Sequence, residues 1–171
     1  EGANQDFHSG LYGGAILNPI HALTDICHSL HNEDGTINIP GFYDSLEETE
    51  EWEREELQRA GEDLEELKAF LGVNGFYTPP GLTASEAPRL APTLEFNGIG
   101  GGYQGEGSKT VIPSKAFVKI SCRLVADQKA DRIQKLLMQS IEDRCPTQMK
   151  LSFEVEHNGN PYLVVPPGKP N

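Results

Sequence analysis

The run Lys115-Ala116-Phe117-Val118-Lys119-Ile120-Ser121-Cys122-Arg123-Leu124-Val125 constrains this chain more than any other stretch. Ala116, Val118, Ile120, Cys122 and Leu124 share one side; Phe117, Lys119, Ser121, Arg123 and Val125 share the other. A period of two predicts a β-strand with one buried and one mixed face. Pro113 lacks an N–H, so it and the glycines before it limit where ladder pairing begins. A polar, glycine-rich loop carrying Thr110 thus runs into a strand carrying Arg123 on its mixed face. A hydroxyl and a guanidinium on one open sheet face suit a carboxylate or an oxyanion. An ordinary surface arginine fits the same spacing.

Four further elements surround that strand. Asn18-Pro19 opens a helix, with Asn at the N-cap and Pro at the first helical position. Its apolar stripe is Ile20, Leu23, Ile26/Cys27 and Leu30, and the turn cluster Asn32-Glu33-Asp34-Gly35 ends it. Thr93–Ile99 alternates weakly and reads as a strand. Residues 127–145 form an amphipathic helix with Ile133, Leu136, Leu137 and Ile141 on one stripe. Residues 149–157 alternate again, with Leu151, Phe153 and Val155 inward. One strand at or before the N-terminus completes a βαββαβ pattern: an α+β, ferredoxin-like antiparallel sheet with two helices on one face. Residues 1–165 form this domain, and 166–171, at the end of a proline-rich tail, form a linker.

Residues 33–91 read as an insertion. Within it, 44–68 hold twelve acidic and three basic residues, which is −9 of the chain's net −12. Leu46, Trp52, Leu57, Leu64 and Leu67 recur at helical steps, and Ala60-Gly61 divides the region into two helices. Such a run is a solvated helix face and carries no chemistry of its own. The acidity disfavours a nucleic-acid partner, because phosphate neutralisation needs a basic surface. No stretch of eighteen apolar residues exists to span a membrane, and the N-terminus lacks the pattern of a signal peptide. It also lacks an initiator Met, which suggests a start further upstream. Cys27, Cys122 and Cys145 are odd in number and unpaired in spacing, which fits free thiols in a reducing, cytoplasmic compartment.

Two loops hold candidate chemistry. In Asp6-Phe7-His8-Ser9-Gly10-Leu11-Tyr12-Gly13-Gly14, small residues around His8 let the backbone approach another group closely. His8 is a candidate general acid, oxyanion donor or metal ligand; a capping histidine is the plainer alternative. The glycine run 100–107 lacks the Gly-Lys-Ser/Thr ending of a phosphate loop, and a strand follows it instead of a helix. His21, His28 and His31 share one helix, but no carboxylate or Cys completes a zinc set at nearby spacing.

The His8 loop followed by Asn18-Pro19 and a helix, then Gly100-Gly101-Gly102-Tyr103-Gln104-Gly105-Glu106-Gly107-Ser108-Lys109-Thr110-Val111-Ile112-Pro113 and a strand ending Ser121-Cys122-Arg123-Leu124, resembles one family. It is similar to the lid, or dimerisation, domain of the zinc-dependent peptidases that include carnosinase and the cytosolic non-specific dipeptidase. Aminoacylase and the desuccinylases are more distant relatives. The resemblance implies a ferredoxin-like lid inserted in a two-zinc catalytic domain and paired with the lid of a second copy. It implies that His8 and Thr110 reach the partner subunit's active site, with His8 stabilising the tetrahedral oxyanion. It implies that Arg123 grips the substrate's terminal carboxylate, on a dipeptide or N-acyl amino acid. No His-x-Asp motif occurs, and the Glu-Glu pairs lie in the acidic helices. The expectation is a lid without its catalytic domain, which holds no metal or cofactor and hydrolyses nothing alone. The rival classes are a stand-alone ferredoxin-like ligand-binding or dimerisation module and a metal-binding protein using His21, His28 and His31.

Overall fold

The computed structural model describes residues 1–46, 48–61, 63–164 and 168. Most of the predicted linker, 166–171, lies outside them. The elements in chain order are β1 (Phe7–His8), α1 (Ser9–Tyr12), α2 (Pro19–Ser29), α3 (Glu51–Ala60), α4 (Leu64–Leu71), α5 (Ala87–Leu90), β2 (Thr93–Gly101), β3 (Val111–Ile112), β4 (Ala116–Arg123) and α6 (Ala130–Arg144). The class is α+β, with two small antiparallel sheets, β1–β3 and β2–β4.

Local chemistry sets the helix ends. Asn18 Oδ1 accepts from the Ile20 N–H at 2.9 Å and Pro19 holds the first position of α2. Asp63 caps α4 by accepting from the Glu65 and Glu66 N–H groups, and Gly72 ends it at φ 67°. The break at Ala60-Gly61 falls between α3 and α4, as the sequence predicts.

In the β2–β4 ladder Leu94 lies opposite Cys122 and Phe96 opposite Ile120. Leu94 joins Ile26 and Leu30 of α2, Ile133 and Ile141 of α6, and Ile37, Ile39 and Phe42 in one buried cluster, against which Ile120, Cys122 and Leu124 pack. Both long helices therefore share a core with one sheet face. Phe42 and Leu30 are fully covered. The connection holding Phe42 is pinned at its polar groups. The Ile37 N–H donates to Tyr43 Oη at 2.8 Å, and buried Gln128 donates from Nε2 to the Phe42 carbonyl at 2.9 Å. Gln128 Oε1 accepts in turn from the Val125 N–H, so neither end of this amide is wasted.

Burial pushes the Cys122 thiol up to about 11, with Glu95 adding to the effect. Burial raises Cys27 as well. Cys27 is buried and Cys122 packs against the core cluster, so both thiols serve as packing groups.

Two expectations are corrected. Among the described residues, 150–164 form no strand, and Leu151, Phe153 and Val155 are 41%, 36% and 51% exposed instead of inward. The alternation is present in the sequence, but a strand also needs a neighbour for its N–H and C=O groups, and among the described residues no strand lies beside this segment. Thr110 and Arg123 do not share a sheet face. Pro113, Ser114 and Lys115 separate β3 from β4, Thr110 precedes β3, and Arg123 ends β4. At the rise of a β-strand Arg123 lies about 23 Å from Ala116.

Candidate functional site

His8 sits at the end of a two-residue strand instead of in an open loop. β1 pairs with β3 so that His8 lies opposite Val111 and Phe7 opposite Ile112. The pairing continues in the Ser9 N–H, which donates to the Thr110 carbonyl at 2.9 Å. These bonds bring Thr110 beside His8 across the whole middle of the chain. Thr110 Oγ1 lies 3.1 Å from His8 Nε2.

The other ring nitrogen fixes the direction of that bond. His8 caps α1, and its Nδ1 accepts from the Gly10 N–H at 2.9 Å. An amide N–H only donates, so Nδ1 carries no proton and the imidazole proton is on Nε2. Nε2–H then donates to Thr110 Oγ1. The hydroxyl proton of Thr110 is left to donate to a further acceptor. Both side chains are exposed.

Two residues that sequence reasoning missed hold this arrangement. Gly10 lies directly under the ring: a Cβ there would meet His8 Cε1 at 2.8 Å and Nδ1 at 3.0 Å, so any side chain displaces the imidazole. Asp6 Oδ1 accepts from the Ser114 N–H at 2.8 Å and braces β1 against the turn into β4. The glycine two residues after a histidine was the available signal for the first; the second joins residues too far apart in sequence to be read there. An open groove of about 700 Å³ adjoins the pair, with Ser9, Gly13, Ile16, Leu17 and Val111 among its walls.

Arg123 stands apart. Its register partner is Thr93, its side chain is exposed, and it makes no hydrogen bond or ion pair among the described residues. The structure thus joins His8 to Thr110 and leaves Arg123 at the far end of β4. His31 faces the Leu94 carbonyl through Nε2 at 3.1 Å and meets Phe96 edge-on, which gives it a packing role. Among the described residues no group of three or more His, Cys, Asp or Glu side chains is arranged to hold a metal ion. No helix among them is long and apolar enough to cross a membrane.

Residues 1–149 match the peptidase dimerisation domain of the M20 family, and the chain belongs to that family. It is 31% identical over 170 residues to the Cys-Gly metallodipeptidase dug1 of Schizosaccharomyces pombe, covering 97% of this chain and 36% of that protein. It is 32% identical over 140 residues to the human Beta-Ala-His dipeptidase, covering 82% of this chain and 28% of that protein. Among solved structures, an M20 family metallo-carboxypeptidase from Sulfolobus solfataricus superposes with a TM-score of 0.77 at 33% identity, over 84% of this chain and 37% of that one. Human carnosine dipeptidase 1 superposes with a TM-score of 0.74 at 31% identity, over 83% of this chain and 30% of that one. The chain thus spans about a third of the length of these relatives.

Proposed function

We propose that this chain is the dimerisation and substrate-clamping lid of a zinc-dependent, dipeptidase-like metallopeptidase of the cytoplasm. The observation that carries the reading is the 3.1 Å contact between Thr110 Oγ1 and His8 Nε2, which joins the end of β1 to the residue before β3 beside an open groove. The Thr110 hydroxyl proton, left free by the bond that Oγ1 accepts from His8, suits an oxyanion that develops elsewhere. The partner body is a second copy of the same chain, whose active site receives His8 and Thr110. The two zinc ions and the catalytic base belong to the parent's own catalytic domain. The described residues here offer no ligand set for a metal.

In this reading the domain is the ferredoxin-like sandwich expected from the sequence. Residues 33–91, with acidic helices α3 and α4, are an insertion in it, and the chain beyond 165 leads to the catalytic domain. His8 and Thr110 polarise the scissile carbonyl and stabilise the tetrahedral oxyanion. Arg123 grips the carboxylate of a dipeptide or N-acyl amino acid. A planar fork of N–H donors matches a carboxylate in two parallel bonds, which a neutral end group cannot reproduce. Arg123→Ala in the parent peptidase is expected to raise KM for a free-carboxylate dipeptide by about 10- to 100-fold. The penalty is expected to vanish for the same dipeptide with an amidated end. Equal penalties on both substrates would remove Arg123 from carboxylate recognition.

A further inference from the structure

Thr110 ends the loop that joins β2 to β3, and little outside that loop holds it on one side. None of residues 102–109 is buried, and Gly102, Gly105 and Gly107 give the backbone extra freedom. On the far side β3 is anchored by its pairing with β1. On the near side the position of Thr110 depends on the contacts the loop makes with itself.

Those contacts converge on Tyr103. Tyr103 Oη donates to the Glu106 carbonyl at 2.9 Å. The ring lies against Gly105, where a Cβ would meet Oη at 2.5 Å and Cζ at 2.6 Å, so a side chain there pushes the ring away. Lys109 Nζ sits over the same ring, 4.5 Å from its centroid, within reach of the negative face of the π-system. Gln104 Nε2 donates to the Gly101 carbonyl at 2.8 Å and ties the start of the loop to the end of β2. One ring thus touches the loop at 105, 106 and 109. Lys109 is the residue before Thr110, and its carbonyl accepts from the Val111 N–H at 3.0 Å, across a bend with Thr110 at its middle.

We propose that Tyr103 is a positioning residue for Thr110: its ring holds Lys109, and through Lys109 it sets the bend that aims the Thr110 hydroxyl proton. The proposal rests on the reading of Thr110 as a donor to an oxyanion. Tyr103 is 39% exposed and stands outside the core cluster, so its loss leaves the packing of the domain intact. What its loss changes is the loop leading to Thr110. A reacting or stabilising group misplaced by about 1 Å costs on the order of 100-fold in rate. A loop with three glycines permits an error of that size unless something fixes it, and the Tyr103 ring is placed to do so.

The test is a double-mutant cycle in the full-length parent peptidase. Tyr103→Leu is expected to lower kcat by about 10- to 100-fold and to change KM by no more than about threefold. Tyr103→Phe keeps the ring under Lys109 and loses the Oη bond, and is expected to cost less, about threefold. Lys109→Arg keeps a cation on the ring and is expected to stay within about twofold of wild type, whereas Lys109→Met is expected to fall with Tyr103→Leu. Thr110→Val has no hydroxyl to aim, so in that background Tyr103→Leu is expected to cost less than about twofold. The same loss in both backgrounds would overturn the proposal, because Tyr103 would then act on something other than Thr110. So would a Tyr103→Leu enzyme with wild-type kcat. A second readout is independent of activity. The Ser9 N–H donates to the Thr110 carbonyl, so its deuterium exchange reports whether Thr110 stays in place. That exchange is expected to speed up about tenfold in Tyr103→Leu, and an unchanged rate would overturn the proposal. If Thr110→Val alone leaves kcat intact, the oxyanion reading fails by itself; faster Ser9 exchange in Tyr103→Leu would still support Tyr103 as the residue that holds Thr110.

Discussion

His8→Ala in the parent peptidase is expected to lower kcat by about 100- to 1,000-fold while changing KM by no more than about threefold. The asymmetry follows from what the geometry supplies. Gly10 holds Nδ1 as an acceptor, so the Nε2 proton binds Thr110 Oγ1 and orients the hydroxyl, whose own proton is the free donor. A preorganised donor of this kind acts on charge that exists only in the tetrahedral transition state. Its loss falls on the chemical step and spares the bound substrate. His8→Asn offers a shorter donor from the same backbone position and is expected to recover part of kcat. Steady-state kinetics with a saturating dipeptide separates the two parameters. A KM raised as much as kcat is lowered would make His8 a binding residue.

Phe42→Ala is expected to cost about 3–5 kcal/mol of folding stability. Phe42 is fully covered and sits where α2, β2 and α6 share their core. Removing the ring leaves a cavity among Leu30, Leu94 and Ile133, which belong to three separate elements and cannot all collapse inward at once. The backbone there is also tied down, since Gln128 donates to the Phe42 carbonyl. Phe70→Ala, at a ring 86% exposed on α4, is the matched comparison and is expected to fall within about 0.5 kcal/mol of the parent. Equilibrium urea unfolding reads both. Comparable losses at the two sites would refute the placement of the core.

The sequence revealed what depends on neighbours in the chain. Asn18-Pro19 announced the start of α2, Ala60-Gly61 the break before α4, and the alternation at 116–123 the longest continuous part of a ladder. It did not reveal what depends on distant partners. Leu151, Phe153 and Val155 have the pattern of a strand, yet pattern specifies which face a side chain takes and says nothing of whether a neighbour stands ready to pair. Phe42 lay within the stretch read as an insertion, 33–91; its place at the centre of the core comes from two helices that sequence could not bring together. Thr110 and Arg123 lie close enough in sequence to suggest one shared face, but residues 113–115 separate β3, which follows Thr110, from β4. The His8–Thr110 contact spans 102 residues and was visible only through a family resemblance, not through spacing.

If His8 serves the active site of another subunit, subunit mixing tests that role most directly. One parent subunit carries His8→Ala; the other keeps His8 but has lost a metal ligand of its catalytic domain. Each variant alone is expected to be nearly inactive. Randomly assorted one-to-one, the two are expected to recover about a quarter of wild-type activity, because each hybrid dimer assembles one intact site from two defective chains. No recovery in a mixture shown to contain hybrid dimers would mean that His8 acts within its own subunit, and this domain would not be a clamp acting across the dimer.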